Sequence, residues 1–423
     1  MKYAVVTFGC RVNQADSFGL ERQLRAAGGA MVTPESADVV IVNSCSVTAN
    51  ADQGTRQTIR RVARMNPTAQ IVATGCYASR AAEEVAALPG VVVVVPNDDK
   101  EKLVQRLMGS VEPTTAVRFA GGDGACGEMI VPGEGNRTAY TLRVQTGCDE
   151  SCAYCIIPST RGRGRSVPLV KVIEEVGLAV DAGYRELQLT GVHLGSYGRD
   201  LTPVSSLPKL LRALDQHPSD VLVRMSSLEP MDCTPEVVEL ITTSRRFAPH
   251  FHLPLQHASD VMLQRMRRPY TRQSYERVVA SIRDRLPHAA IGSDLVVGFP
   301  GESNADASTM LKFLGQSPLT HLHVFPYSDR PGTEASMMPD KIGGKVIRDR
   351  ARVVRDLGAR LSSRFFASQV GSIRPGLTLK SSENIVLTDN YLRVHLPGST
   401  ADNRRVNVRI LTAGKTLIGE LVA

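Results

Sequence analysis

The sequence predicts a multidomain α/β protein with an N-terminal parallel α/β sheet, a central partial or full βα barrel and a small C-terminal antiparallel β-barrel. Three observations predict it. The first hundred residues alternate short β-branched runs with helix-forming stretches, a second βα series follows from residue 138, and short strands with turn residues replace both after residue 371. Because 423 residues exceed one ordinary hydrophobic core, we expect two to four domains.

We expect domain boundaries where composition and period change. Residues 1–110 form the predicted N-terminal domain, residues 137–367 the central domain and residues 368–423 the C-terminal domain. Residues 111–136 are interpreted as a linker, because this part of the chain is rich in Gly, Pro and Thr.

The N-terminal domain is predicted from four unbroken β-branched runs, which are typical of buried parallel strands. Helix-forming stretches separate the runs, so successive strands are expected to be parallel. The expected strands cover residues 3–7, 39–42, 71–73 and 91–95, and the expected helices cover residues 15–27, 51–65 and 80–88.

Three of these strands are each followed within a few residues by a cysteine, namely Cys10, Cys45 and Cys76. Parallel strands end at one edge of a sheet, so the three thiols are expected to converge there and to form a metal site. The alternative is that each cysteine is only a small buried residue at a strand end.

A tighter cysteine group follows the first strand of the central domain. Cys148, Cys152 and Cys155 place three thiolates on one short loop, which favours zinc or an iron–sulfur cluster over calcium or magnesium. With only three cysteines, one metal position is left for a ligand that is not protein. The alternative is a zinc site with a distant fourth ligand such as His193 or Cys233.

The central domain is predicted from six βα units, whose chemistry lies at the carboxyl ends of the strands. The expected strands cover residues 139–144, 186–189, 221–225, 251–255, 291–297 and 321–325, and the expected helices cover residues 168–182, 203–216, 235–246, 273–286 and 305–314. Histidines on or beside these strands are interpreted as residues that fill the barrel or form a polar layer: His250, His252, His257, His321 and His323.

Charge is concentrated at the C-terminal end of the chain. The net charge is +8, and residues 341–423 hold 15 Lys and Arg against 6 Asp and Glu. This distribution is typical of a surface that binds a polyanion, although a basic helix at residues 341–367 could simply be solvated. In the terminal barrel, Tyr391 offers a stacking surface, and positive charge comes from Arg374, Arg393, Arg404, Arg405 and Arg409.

Cysteine usage and hydropathy predict a cytoplasmic protein. The eight cysteines occur without a secretory signal, which is typical of a reducing compartment where thiols bind metals or catalyse. The longest apolar run, at residues 91–95, is the length of a strand, so no membrane span is expected.

Several motifs resemble the methylthiotransferase family of radical S-adenosylmethionine enzymes over essentially the whole chain. The matching segments are residues 7–14, 43–48, 74–78, 148–162 and 298–302, and the terminal barrel looks like the family's TRAM domain. The resemblance implies a radical SAM barrel in the centre of the chain, two four-iron four-sulfur clusters, S-adenosylmethionine, and transfer of a methylthio group to an unactivated carbon.

The resemblance also implies roles for individual residues. The metal ligands, which are also the catalytic residues, are Cys10, Cys45, Cys76, Cys148, Cys152 and Cys155. The expected contacts to S-adenosylmethionine are Tyr154, Thr190, Gly191, Ser226, Glu229 and Gln256. The expected contacts to the substrate are Arg161, Arg163, Arg165, Tyr391 and Arg393.

Within the family, residues 10–14, 161–166 and 387–394 look most like the branch that modifies C2 of N6-threonylcarbamoyladenosine beside the anticodon of tRNA. Residues 256–260 are closer to the branch that modifies a ribosomal protein aspartate. Isopentenyl-adenosine in tRNA is a further alternative substrate, and a non-catalytic zinc protein that binds RNA is the alternative of a different class. The expected partners are the tRNA anticodon stem-loop, an external electron donor and a sulfur donor.

Overall fold

A computed structural model describes residues 1–108, 131–133, 138–380, 383–398 and 400–422. The N-terminal domain contains a parallel sheet of five strands in the order β2-β1-β3-β4-β5. Its strands are β1 (Lys2–Thr7), β2 (Ala30–Met31), β3 (Val39–Ser44), β4 (Gln70–Gly75) and β5 (Val91–Val95). Its helices are α1 (Arg11–Ala26), α2 (Ala49–Met65), α3 (Cys76–Arg80), α4 (Ala82–Ala86) and α5 (Leu103–Met108).

Both faces of this sheet are covered, as the unbroken apolar strands predict. Val40 and Val42 of β3 pack with Ile59 of α2 on one face, whereas Val39 and Ile41 pack on the other face. The second face is covered by Leu24 of α1 and Leu103 of α5, in agreement with the alternation of side chains along a strand. The sheet therefore forms the middle of three layers, with helices on both of its faces.

Three details of the N-terminal domain differ from the sequence prediction. The short edge strand β2 was not predicted. Strand β5 was expected to be buried, but it forms the other edge of the sheet and leaves Val92 55% and Val93 40% exposed. The expected helix at residues 80–88 begins earlier and is broken at Ala81, where φ of −136° and ψ of 57° lie outside the helical region.

The central domain contains six parallel strands in a partial barrel. They form two sheets, β10-β9-β6 and β11-β12-β13, and parallel bridges Val223–Phe247 and Ser227–His252 join β10 to β11. The strands are β6 (Tyr140–Arg143), β9 (Glu186–Thr190), β10 (Leu222–Met225), β11 (His250–His252), β12 (Ala290–Val297) and β13 (His321–Pro326). A short antiparallel pair, β7 (Gln145–Thr146) and β8 (Arg165–Ser166), lies beside the loop that follows β6.

Helices cover the outside of this barrel. They are α6 (Ile157–Arg161), α7 (Leu169–Asp181), α8 (Leu207–Asp215), α9 (Pro235–Thr243), α10 (Asp260–Arg265), α11 (Arg272–Arg285), α12 (Asn304–Gln316), α13 (Glu334–Met337) and α14 (Gly344–Gln369). Short 3₁₀ turns occupy Pro34–Ser36, Asn97–Lys102, Leu194–Ser196 and Pro230–Asp232. Helix α14 buries Val354, Leu361 and Phe365 on one face, which is the spacing expected of a helix docked on a barrel.

The terminal domain is a closed barrel in the order β14-β15-β16-β18-β17. Its strands are β14 (Ile373–Thr378), β15 (Ile385–Thr388), β16 (Arg393–His395), β17 (Arg405–Ala413) and β18 (Leu417–Val422). It is not wholly antiparallel as expected, because β16 and β18 pair in parallel. Phe365 of α14 and Ala290 of β12 belong to its apolar core, so the small barrel is packed against the base of the central one.

The predicted linker at residues 111–136 lies outside the described residues except at residues 131–133, and so does the boundary at residue 110. Among the helices of the described ranges, none has the length and apolar character required to cross a bilayer.

Candidate active site

The first group of cysteines, here called the strand-end triad, consists of Cys10, Cys45 and Cys76. These residues follow β1, β3 and β4, which are neighbours in the parallel sheet, so all three lie at its carboxyl edge. Cys45 and Cys76 are buried, and Cys10 is exposed. The seven described cysteines are all free thiols.

Two glycines permit this convergence. Gly9 and Gly75 adopt φ of +88° and +95°, a region that favours glycine. A Cβ on Gly9 would collide with the side chain of Cys45, and a Cβ on Gly75 would collide with the backbone of Ser44. The glycines that precede Cys10 and Cys76 therefore allow the strand ends to approach one another.

Burial makes ionisation of the thiols in the strand-end triad unfavourable unless a cation is bound. Desolvation, together with the neighbouring Cys10 and Cys76, raises the pKa of the Cys45 thiol to about 11. Asn97 Nδ2 donates to Cys76 Sγ at 3.7 Å. A metal cluster that requires three thiolates would remove the mutual repulsion and is chemically suited to this set.

A buried carboxylate that sequence reasoning missed lies behind the strand-end triad. Asp16 of α1 accepts from Lys100 Nζ at 2.9 Å, from Arg143 Nη1 at 2.9 Å and from Arg161 Nη2 at 3.1 Å. Burial alone would raise the pKa of Asp16, but the charges of Lys100, Arg161 and Arg143 outweigh it and hold this pKa well below its usual range. The Asp16 cluster, as we call these four residues, joins the N-terminal sheet to β6 and α6.

The structure corrects the interpretation of Arg161 as a substrate contact. Its side chain is 3% exposed and also donates to Thr146 at 3.2 Å and to Asn13. Arg161 therefore positions the two domains and is not accessible to RNA. Arg163 is 93% exposed and pairs with Asp149 at 3.1 Å. Arg165 is half-exposed, and both remain predicted substrate contacts.

The second group, here called the loop triad, consists of Cys148, Cys152 and Cys155. Arg268 Nη1 donates to Cys152 Sγ at 3.0 Å, and Arg268 also pairs with Glu229. Burial raises the pKa of the Cys155 thiol to about 12, with further contributions from the other two thiols. Arg268, to which no role was assigned from the sequence, places a buried positive charge on the loop triad.

The geometry does not favour a mononuclear zinc site. Four tetrahedral zinc–sulfur bonds of about 2.3 Å hold their sulfur atoms about 3.8 Å apart. Within the described ranges, neither triad has its three sulfur atoms within 4.8 Å of one another. His193, one of the two candidate fourth ligands of the zinc alternative, has Nε2 at 2.8 Å from Asp232, and although burial would lower its pKa, Asp232 and Cys148 raise it to about 10.

Three of the residues expected to contact S-adenosylmethionine lie at strand ends on the wall of one cavity: Thr190, Gly191 and Ser226. The buried hydroxyls of Thr190 and Ser226 have no hydrogen-bond partner among the described residues. Gly191 lies against the side chain of Gln145, which donates to the carbonyl of Gly147 at 2.8 Å, directly before the loop triad. Orphaned buried hydroxyls next to this loop fit a polar ligand that the protein binds there.

Of the other three expected contacts, Glu229 and Tyr154 lie at the loop triad, and Gln256 lies beside β12. Glu229 is held by Arg268, and its burial raises its pKa. Tyr154 packs edge-on against Phe299, with ring centroids 6.4 Å apart. Gln256 has φ of +64°, and its carbonyl accepts from Val296 N at 2.8 Å.

The cavity has a volume of about 1810 Å³ and is shared by all three domains. Cys10 and Cys45 of the N-terminal domain, Ser226 of the central barrel and Tyr391 with Arg393 of the terminal barrel contribute to its wall. It therefore connects the strand-end triad with the interior of the central barrel and with the terminal barrel.

Tyr391 was expected to stack on RNA at the surface of the terminal barrel, but it lies on the inner wall of the cavity. Its ring is 4.4 Å from that of His250, its hydroxyl accepts from Arg11 Nη2 at 2.9 Å, and Arg224 lies over the ring at 5.0 Å. Buried Arg224 also binds Glu186 at 2.8 Å and donates to the carbonyl of Asp389 at 2.7 Å. Arg224 was missed by sequence reasoning, and it ties the terminal barrel to the central one.

Four of the five barrel histidines, His250, His252, His321 and His323, lie in ring contact and form a polar layer, as one of the two interpretations expected, whereas His257 lies apart from them. His252 Nε2 lies 2.8 Å and His323 Nδ1 lies 3.2 Å from Asp294 Oδ1. Burial alone would raise the pKa of Asp294, but these hydrogen bonds lower it to about 2.

Comparison with known proteins supports both the predicted fold class and the predicted enzyme class. A model of the Radical SAM superfamily matches residues 142–314, and a model described as Uncharacterized protein family UPF0004 matches residues 2–96. The radical S-adenosylmethionine methyltransferase TsrM of Kitasatospora setae has a similar fold, with a TM-score of 0.56 at 14% identity over 79% of this chain and 77% of that one.

Full-length relatives decide the family. The threonylcarbamoyladenosine tRNA methylthiotransferase of Aquifex aeolicus is 36% identical over 97% of this chain and 100% of its own length, and that of Bacillus subtilis is 36% identical over 96% and 93%. The tRNA-2-methylthio-N6-dimethylallyladenosine synthase of Methylobacillus flagellatus is 31% identical over 99% and 98%. This chain belongs to the methylthiotransferase family of radical S-adenosylmethionine enzymes.

Proposed function

We propose that this enzyme attaches a methylthio group to C2 of N6-threonylcarbamoyladenosine in the anticodon loop of tRNA. Relatives named for that nucleoside are 32–36% identical, compared with 31% for the relative named for the dimethylallyl nucleoside. The observation that carries the proposal is a cavity lined by Cys10 and Cys45 of the strand-end triad and by residues of the basic terminal domain, whose wall at Gly191 lies against Gln145, next to the loop triad. A large cavity is needed because a nucleoside must leave the stacked anticodon loop to be modified.

The family uses two four-iron four-sulfur clusters and S-adenosylmethionine. We assign one cluster to the strand-end triad and one to the loop triad. When bound, these groups supply the radical and sulfur chemistry, and the protein supplies orientation, charge and exclusion of water. Both triads fit: the thiols are reduced, partly buried, too widely spaced for one metal ion and placed beside cations.

The side chains around the triads have distinct tasks in this proposal. Arg268 stabilises negative charge on the sulfur of Cys152. Thr190 and Ser226 offer hydroxyls to polar groups of S-adenosylmethionine, Glu229 and Tyr154 lie at the same loop, and Gln256 remains a predicted contact. The Asp16 cluster holds the strand-end triad at a fixed place relative to the barrel, because positioning two reactive centres lowers the entropy cost of their reaction.

The surface for tRNA is proposed on the terminal domain and the exposed face of α14. Arg374 is unavailable because it pairs with Asp389 at 2.5 Å, and Arg405 pairs with Asp220 at 2.8 Å. Arg393 and Arg404 are exposed and form no ion pair with the described residues. These two arginines suit phosphate contacts, and each substitution by Gln should reduce the slope of log affinity against log salt by about 1.

Residues 256–260 resemble the branch of the family that modifies a ribosomal protein, but in the structure these residues have packing roles. His257 is buried, and its Nδ1 accepts from Ser259 N at 2.9 Å. Ser259 in turn donates to Asp306 at 2.6 Å. These contacts give the segment a structural explanation that does not require a ribosomal partner.

The test is anaerobic reconstitution with iron and sulfide, followed by reaction with S-adenosylmethionine, a reductant as electron donor, a sulfide source as sulfur donor, and anticodon stem-loops. We expect a brown protein that forms deoxyadenosine and converts the threonylcarbamoyl nucleoside into its methylthio derivative, detected by mass spectrometry. Modification of the isopentenyl stem-loop or of a ribosomal protein alone would contradict the proposal. A colourless zinc-loaded protein would contradict radical chemistry altogether. The expected site of action is the cytoplasm, where tRNA is modified.

A further inference from the structure

The buried and partly buried arginines near the cavity and the cysteine triads are almost all matched by a carboxylate. The matched pairs are Arg161 and Arg143 with Asp16, Arg224 with Glu186, and Arg268 with Glu229. Arg11 is different. Within the described ranges it forms no ion pair, and its guanidinium donates to two neutral groups, the amide oxygen of Gln188 and the hydroxyl of Tyr391.

The position of Arg11 is defined by all three domains. It is the first residue of α1 and follows Cys10 of the strand-end triad, whereas Gln188 belongs to β9 and Tyr391 to the terminal barrel. The guanidinium carbon lies 5.9 Å from the centre of the Tyr391 ring. Neutral hydrogen bonds orient this half-buried guanidinium but leave its charge uncompensated, which favours binding of an anion.

Other cationic groups on the cavity wall are less suited to an anion deep inside. Burial lowers the pKa of His321 to about 4 and that of His250 well below its usual range, so both rings are neutral near pH 7. His323 is hydrogen-bonded to the carboxylate of Asp294, which compensates positive charge on the His323 ring. Arg393 and Lys380 are exposed, which suits a backbone phosphate rather than a buried group.

We propose that Arg11 binds the carboxylate of the threonylcarbamoyl group and thereby determines which modified adenosine the enzyme accepts. This inference rests on the proposed function. In that nucleoside, N1 of the base is bonded to both C2 and C6. C6 carries the N6 substituent, so the substituent lies on the same side of the base as C2. A cation next to Cys10 in the chain is thus suited to hold the substituent while C2 faces the strand-end triad.

Specificity follows from what happens with the wrong substrate. An isopentenyl substituent has no charge, so its entry would displace water from Arg11 without replacing the lost hydration by an anion. A site built around a charged partner rejects a neutral analogue much more strongly than it rejects one that differs by a methylene.

The experiment compares two stem-loops, one with the threonylcarbamoyl carboxylate and one in which that carboxylate is a primary amide. The wild-type enzyme should prefer the acid by about 10- to 100-fold in kcat/KM, the range of a charge-assisted hydrogen bond. Arg11→Gln should reduce kcat/KM on the acid by a similar factor and should bring the acid-to-amide ratio close to one. Arg11→Lys should retain part of the preference, because it keeps the charge but loses the planar fork.

The acid-to-amide ratio separates recognition from damage. Loss of folding or of cluster loading lowers both rates together and cancels in the ratio, and iron per chain is measured for each variant. Arg393→Gln is the matched control, since it removes an exposed cation of the cavity rim and should lower both rates without changing their ratio. An Arg11→Gln enzyme with the wild-type ratio, or a wild-type ratio of one, overturns the inference while modification of the acid still upholds the proposed function. A wild-type enzyme that modifies neither stem-loop overturns both.

Discussion

The two cysteine triads, each proposed to hold an iron–sulfur cluster, are assembled at different levels of structure. The loop triad is local, since Cys148, Cys152 and Cys155 share one loop after β6 and β7. The strand-end triad is assembled by topology, because its cysteines converge only when β1, β3 and β4 pair in register. The loop triad therefore depends on a short segment, whereas the strand-end triad depends on the integrity of a whole sheet.

Their electrostatic surroundings differ in the same way. The loop triad has one buried arginine, Arg268, that contacts Cys152 directly. The strand-end triad lies in front of the Asp16 cluster, whose four charged residues come from four different elements of two domains. Loss of the inter-domain contact should therefore disturb the strand-end triad first.

The largest expected effect separates the triads by function. Replacing Cys148, Cys152 and Cys155 together with alanine should abolish deoxyadenosine formation, whereas replacing Cys10, Cys45 and Cys76 should leave it and abolish methylthio transfer. Each triple variant should retain about half of the wild-type iron after reconstitution. Cys233→Ala, which alters a buried thiol outside both triads, should retain full iron, and unchanged iron in either triple variant would contradict the two-cluster assignment.

The second prediction breaks the contact between the domains. Asp16→Asn should lower the free energy of unfolding by about 3–5 kcal/mol, because it leaves three cations without their buried anion. Asp98→Asn, which removes an exposed pair at 3.5 Å with Arg165, should cost less than about 1 kcal/mol in the same denaturant titration.

The pH dependence of stability supplies a second measure of Asp16. Its folded pKa is lower than its unfolded one, so its contribution is fully present at neutral pH and is lost as pH falls below about 4. The Asp16→Asn protein should lack this component of acid destabilisation. Equal acid sensitivity of the two proteins would show that Asp16 does not carry the contact.

The third prediction concerns the loop triad alone. Arg268→Ala should lower deoxyadenosine formation by about 10- to 100-fold, since it removes the donor to Cys152 and leaves Glu229 unpaired. Arg268→Lys should recover part of the rate, and the reduction potential of the loop cluster should shift to lower values when the charge is removed. Arg267→Ala, which removes a half-exposed partner of Glu334, is the neighbouring control and should retain the wild-type rate and potential.

The smallest effect tests the close approach at the strand-end triad. Gly9→Ala should lower the free energy of unfolding by about 1–3 kcal/mol, because φ is +88° and the new Cβ would collide with Cys45. It should also reduce iron binding at this triad. Gly19→Ala, in the same helix-bearing segment and with nothing within 4 Å of its Cβ, should stabilise α1 by about 0.5–1 kcal/mol.

Most of the architecture was predictable, because hydrophobic period and cysteine position are local features of the chain. The six barrel strands and the neighbouring strands before Cys10, Cys45 and Cys76 were expected from β-branched runs and are present. The exposure of β5 was not predictable, since an edge strand and a central strand have the same composition here. The break at Ala81 was also missed, because alanine carries no sequence signal for it.

The sequence by itself determined where the six candidate thiols lie: three follow neighbouring parallel strands, and three share one loop after the first barrel strand. Tertiary structure alone decided what the charged and aromatic side chains do. Arg161 is a buried partner of Asp16 rather than an RNA contact, and Tyr391 lies on the cavity wall. Among the described residues, Arg11 has no carboxylate partner. The physical reason is that a thiol at a strand end is placed by short-range backbone geometry, whereas the role of a charge depends on which partner, distant in the chain, reaches it in the folded protein.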